Sequence, residues 1–133
     1  MKVKDCMCNH VNFVKPETTI RDCAKMMCEC HIGCTPVCDD TNKLVGIVTD
    51  RDIILRSVAC GKDSKNTKAS EIMTCNTTCC DCNEEISEVT KNMGKTGVRR
   101  VPVTKDRYTS WNINIRRFSK ASRYKLRLCR KNI

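Results

Sequence analysis

The sequence lacks any apolar run near the roughly 20 residues that cross a bilayer, which argues against a membrane-spanning helix. The opening MKVKDCMCNH has no apolar core behind its lysines, so it does not read as a secretion signal, and a soluble cytoplasmic protein is expected. No Ser/His/Asp set, Walker loop or carboxylate pair of defined geometry is present. The two histidines, His10 and His31, read as surface or packing residues, and no enzyme is expected. A length of 133 residues excludes a multidomain enzyme. Acidic residues are missing from one region only. Residues 107–133 hold nine Lys/Arg and no Asp or Glu, whereas residues 1–106 hold sixteen basic against fifteen acidic side chains. Of the net charge of +10, +9 therefore belongs to the tail, and it does not make the body a nucleic-acid-binding protein.

Cysteine is abundant, at 13 residues. In a chain read as cytoplasmic, an odd number suits thiols better than a disulfide framework. Cys28, Cys30, Cys34 and Cys38, and then Cys75, Cys79, Cys80 and Cys82, are dense enough to raise a zinc or thiol-redox role as an alternative. Neither set shows the paired C-x2-C knuckles of a zinc ribbon, however. Cys6, Cys23 and Cys38 occupy places where the apolar pattern wants a small hydrophobe. Structural thiols are expected, with no metal site.

An ungapped internal match at an offset of 66 residues organises the chain. Lys2 falls on Lys68, Met7 on Met73, Ile20 on Ile86, Lys25 on Lys91 and Met27 on Met93. Pro36-Val37 falls on Pro102-Val103. In the first copy Val11–Val14 reads as an extended stretch, and Thr19 with Asp22 is spaced as a capping box. Ile20, Ala24, Met27 and Cys28 form the expected buried stripe of the helix that follows. Thr35–Cys38 and Leu44–Val48 read as a hairpin, and Asp50–Ala59 as a second helix. The expected architecture is α/β (α+β): tandem β-α-β-β-α units packed with pseudo-twofold symmetry, the second incomplete. The boundaries are 1–60 for the first unit, 61–67 for a linker, 68–106 for the second unit and 107–133 for an atypical basic tail.

Several motifs, in order and twice over, make the resemblance specific. Val14-x-Pro16-x-x-Thr19-Ile20, His31-Ile32-Gly33-Cys34-Thr35-Pro36-Val37 and Lys43-Leu44-Val45-Gly46-Ile47-Val48-Thr49-Asp50-Arg51-Asp52-Ile53 resemble a CBS (cystathionine β-synthase) domain. The second copy retains Ser70-Glu71-Ile72-Met73-Thr74 and Gly97-Val98-Arg99-Arg100-Val101-Pro102-Val103. Residues 1–106 thus resemble a CBS pair, or Bateman module. That resemblance implies a regulatory, non-catalytic protein that binds AMP, ADP, ATP or S-adenosylmethionine between its units. It also implies a homodimer and a regulated protein partner of unknown identity.

The residues themselves support such a site in part. Gly46–Asp52 runs from a strand into a helix start, where free N–H groups suit phosphate. Thr49 can add a hydroxyl hydrogen bond, and Asp52 can accept from ribose hydroxyls. Asp50 and Arg51 lie between them, and Ile32, Gly33 and Pro36 are candidates for the adenine-facing wall. Arg99 and Arg100 are candidates to neutralise phosphate. Thr49-x-x-Asp52 is also an ordinary capping box that needs no ligand.

From Arg107 the chain departs from the pattern, with no counterpart of Gly46 or of Thr49-x-x-Asp52. A basic arm with Tyr108, Trp111 and Tyr124 as stacking groups would make nucleic acid a partner, the less favoured reading. Disorder, a substitute strand built on the alternating Ile113 and Ile115, and a shifted reading frame are the other possibilities. Trp111 is encoded only by TGG, so reading one nucleotide later writes glycine there. With A/T-rich codons the shifted string continues V-G-(I/T)-L-(I/T)-L-E-D-L, close in character to Val45–Ile53. A one-nucleotide shift near codons 106–110 is the hypothesis that follows.

Overall fold

The computed structural model describes residues 1–5, 11–98, 100–105, 108–116 and 125–126, the last two stretches as strand backbone. The elements are a 3-10 turn (Val3–Asp5), α1 (Ile20–Cys30), β1 (Cys34–Cys38), β2 (Leu44–Thr49), α2 (Asp50–Ile53) continuing into a π turn (Ile54–Val58), and α3 (Ala69–Ile72). There follow β3 (Cys80–Asp81), α4 (Ile86–Thr96), β4 (Arg100–Lys105), β5 (Tyr108–Arg116) and β6 (Lys125–Leu126). No helix among the described residues is long and apolar enough to cross a membrane.

The compact units do not follow the repeats end to end. One is Asn12–Thr77; the other joins Met1–Val11 to Thr78–Ile133. In the first, Thr19 caps α1 by accepting from the Asp22 amide at 3.2 Å. The buried stripe of α1 is Ile20, Cys23 and Met27, while Ala24 and Cys28 are exposed, contrary to the expected stripe. Cys28 lies roughly 80° around the helix from Ile20, too far to share its face, and Cys23 fills the core position as a small hydrophobe. β1 and β2 pair antiparallel, with Thr35 opposite Val48 and Val37 opposite Gly46. Their turn closes on Asp39, whose Oδ1 accepts from the amides of Thr41 (2.9 Å) and Lys43 (3.0 Å). The core comprises Val14, Ile20, Cys23, Met27, Val37, Val48, Ala69 and Ile72.

Ala69 and Ile72 belong to the second sequence repeat, yet they complete the core of the first. The reciprocal holds in the other unit, where Val3 packs with Cys80, Cys82, Val89, Met93, Val101 and Val103. Main-chain hydrogen bonds repeat at the same offset of 66. The Val3 amide donates to the Glu84 carbonyl at 3.0 Å, as Ala69 does to Thr18 at 2.7 Å. Ile86 donates to Met1 at 3.0 Å, as Ile20 does to Thr67 at 2.9 Å. The opening turns share their cap as well: the Lys2 amide donates to Asp5 Oδ2 at 2.9 Å and the Lys68 amide to Glu71 Oε2 at 2.6 Å. Each repeat lends its opening segment to the other.

The tail supplies a substitute strand. β5 lies between β4 and β6 in the order β3-β4-β5-β6, antiparallel to both, with β3 parallel to β4. Its pairing with β4 bulges between Val103 and Thr104, where the β1–β2 pairing bulges between Val37 and Cys38. It is one residue out of step with the repeat, however. Val37 faces Gly46, whereas Val103 faces Trp111 rather than Asn112. Position 111 is where the shifted frame writes glycine.

Gly46 is glycine because there is no room for more. A Cβ there would meet Met73 Sδ at 2.7 Å and the Thr74 carbonyl oxygen at 3.0 Å. Gly46→Ala is expected to cost about 1–3 kcal/mol in urea unfolding through this overpacking. At the end of α1, His31 adopts the left-handed conformation (φ 53°) that Gly97, its counterpart, adopts after α4 (φ 70°). His31→Val should therefore lose about 1–2 kcal/mol. His31→Gly should lose none, and equal losses in the two variants would contradict the assignment of strain.

Candidate functional site

β2 delivers Thr49, in extended conformation, as the N-cap of α2. Thr49 Oγ1 accepts from the Asp52 amide at 3.1 Å, and the Thr49 amide donates to Asp52 Oδ2 at 3.0 Å. This reciprocal box fixes the carboxylate of Asp52, whose side chain is 12% exposed. Oδ2 is occupied by the box, and Oδ1 faces Arg56 Nε at 3.9 Å. The Thr49 hydroxyl proton has no role in the box, so it is left to donate.

Of the other predicted residues, Gly33, Asp50 and Arg51 meet at this strand-to-helix junction, with different roles. Gly33 lies just before β1, and its carbonyl accepts from the Asp50 amide at 2.9 Å. Asp50 Oδ1 accepts from the Arg51 amide at 2.9 Å. The amides of Asp50, Arg51 and Asp52 thus all have internal partners, so the helix start does not offer the open N–H cluster that the sequence suggested for phosphate. Asp50 and Arg51 are exposed. Ile32 is half-buried against the core. Pro36 is fully buried in β1 opposite Ile47. Arg100, half-buried, begins β4 in the other unit. Arg99 lies outside the described residues.

From Arg107 onward the sequence of the second repeat offers no Thr-x-x-Asp with which to rebuild the box. Asn114 stands opposite Arg100, as Thr49 stands opposite Cys34. Sequence reasoning also missed Arg56, whose Nη1 donates to the carbonyls of Ile72 (3.1 Å) and Met73 (3.2 Å). Its i,i+4 spacing from Asp52 was the available signal.

The buried thiols behave as packing groups. Burial, seconded by the Asp22 charge, pushes the Cys23 thiol up to about 11. Cys23 is therefore protonated at neutral pH and a poor nucleophile. Among the described residues no three His, Cys, Asp or Glu groups gather as metal ligands. Cys6, Cys8, His10 and Cys129 lie outside them. The nucleic-acid alternative rests on Tyr108, Trp111 and Tyr124, whose side chains also lie outside the described part.

The CBS domain family model matches residues 3–59 and 69–109. The second match ends where β5 begins. Hypoxic response protein 1 of Mycobacterium tuberculosis is 36% identical over 100 residues, covering 75% of this chain and 70% of that protein. Its crystal structure, described with two coordinated zinc ions, superposes with a TM-score of 0.78 at 32% identity, covering 86% of this chain and 92% of that one. A CBS domain pair solved with 5′-methylthioadenosine and S-adenosyl-L-methionine superposes with a TM-score of 0.75 at 28% identity over 86% of this chain and 89% of that chain. CBSX2, solved with AMP, shares the fold at 23% identity and a TM-score of 0.74, over 85% of this chain and 89% of that chain. With the 66-residue repeat, the twofold family match and these structural likenesses, the chain belongs to the CBS domain family and carries two CBS units in tandem.

Proposed function

We propose that the chain is a non-catalytic regulatory module that binds an adenosine-containing molecule at the Thr49–Asp52 junction. The observation that carries this reading is the fixed, nearly enclosed Asp52 carboxylate at the end of β2, with Oδ2 held by the Thr49 amide. Ribose hydroxyls donate to it, as they do to acidic residues in other nucleotide sites. The Thr49 hydroxyl donates to a ribose or phosphate oxygen. Ile32 and Gly33 provide apolar wall and backbone beside the sugar, and Pro36 braces that wall from within β1. The S-adenosyl-L-methionine and AMP bound by the related pairs support this ligand class.

Phosphate recognition at this junction falls to the Thr49 hydroxyl and to Arg51, because the first amides of α2 are internally engaged. The ligand acts by differential affinity for two arrangements of the pair, one of which a regulated protein reads. The chain works as a cytoplasmic homodimer, a reading supported by the exposed Ile54, Leu55 and Val58 on one helical segment. A second reading, zinc binding, is favoured by the zinc-bearing relative together with the cysteine content.

The proposal extends to the tail. A one-nucleotide shift near codons 106–110 replaced the natural end of the second unit, which the Trp111 register and the end of the family match at residue 109 support. The chain as it stands then keeps at most the ribose site in the unit Asn12–Thr77.

A thermal-shift screen with AMP, ADP, ATP and S-adenosylmethionine tests the ligand reading. At a hundred times Kd a ligand adds about 2.7 kcal/mol, and Asp52→Ala should abolish the shift. No shift with any of the four contradicts the reading, and about one zinc or more per chain after purification would favour the second. Intact mass of the protein made from its natural locus tests the frame. A mass matching residues 107–133 as written rules the shift out.

A further inference from the structure

We propose that Arg56 is a positioning residue that couples the Asp52 carboxylate to the segment Ile72–Thr74; the ligand-dependent part of this rests on the reading of Asp52 given above. Four observations meet here. Arg56 stands on the π turn with Nε 3.9 Å from Asp52 Oδ1, and its Nη1 donates to the Ile72 and Met73 carbonyls at the end of α3. Ile47 and Thr74 exchange two main-chain hydrogen bonds, of 3.0 and 2.9 Å. Met73 lies directly against Gly46, leaving no space for a Cβ. Gly46 and Ile47 are in the strand that ends at Thr49, so one face of the segment is held by β2 and the other by Arg56.

The physical consequence is a shared guanidinium. The exposed ion pair by itself is weak, since Arg56 is about half exposed and screened by solvent. Its charge-assisted bonds to two carbonyls are directional, however, and their geometry depends on where the carboxylate holds the Nε edge. A ribose that draws on Asp52 Oδ1 competes with Arg56 for that oxygen and changes the hold on Ile72 and Met73. The segment is well placed to carry such a change, because the chain leaves this unit after Thr77, three residues past Thr74. Ligand occupancy is thereby written into the stretch of chain that joins the two units.

Amide hydrogen exchange on the intact chain tests the link, with S-adenosylmethionine and AMP as the probes. In the ligand-free protein, Arg56→Gln and Asp52→Asn should each speed exchange at the Met73 and Thr74 amides several-fold, with Arg56→Lys intermediate. A purely structural Arg56 would show the effect in Arg56→Gln and not in Asp52→Asn, which overturns the coupling. With ligand, the wild-type chain should change its exchange at Met73 and Thr74, whereas Arg56→Gln should still shift its melting temperature without that change. Binding with the same exchange response in wild type and Arg56→Gln overturns the ligand-driven link. A wild-type chain that binds neither probe overturns the site reading and its ligand-driven part, while the ligand-free comparison still decides the coupling.

Discussion

Everything else in the fold depends on the closure of each repeat's core by the opening segment of the other. One copy of about 60 residues has little core to spare, and each lends a short apolar turn that its own strands do not cover. Val3 completes one core, and Ala69 and Ile72 the other. The main-chain bonds that fasten these turns recur at the repeat offset, with Val3 to Glu84 matching Ala69 to Thr18. The chain therefore passes from one unit to the other at two places, after Val11 and after Thr77.

That exchange is also what gives the Thr49–Asp52 junction its connections. The borrowed segment Ala69–Thr74 packs beside β2 tightly enough to require glycine at position 46, and β2 ends on the capping box. Arg56 joins the box to the same segment. The box and the cap are one structure, so the bland reading of Thr49-x-x-Asp52 and the functional one are compatible. The cap orients the carboxylate and leaves the threonine proton to donate.

The repeat, the helices, the hairpin and the family were legible because side-chain pattern carries them: an offset of 66 residues survives in apolar spacing, caps and turns. The exchange was not legible, for a physical reason. Lys2–Asp5 and Lys68–Glu71 are chemically alike, so the opening of either repeat suits either core, and sequence similarity cannot tell a retained partner from a swapped one. Arg56 was missed because its partners are main-chain carbonyls, about which sequence is silent. The phosphate-binding helix start failed for a local reason: the Asp50 carboxylate and the Gly33 carbonyl reach the amides first. The tail departed from the family as expected. Main-chain pairing needs only an extended backbone, and the tail's alternating pattern sufficed for β5.

The most direct measurement of the central constraint is urea unfolding of two fragments, residues 12–77 and residues 1–60. The account predicts a cooperative transition for 12–77, which contains Ala69 and Ile72, and none for 1–60, which has the first repeat without its borrowed segment. A cooperative transition of equal midpoint in the 1–60 fragment would contradict it.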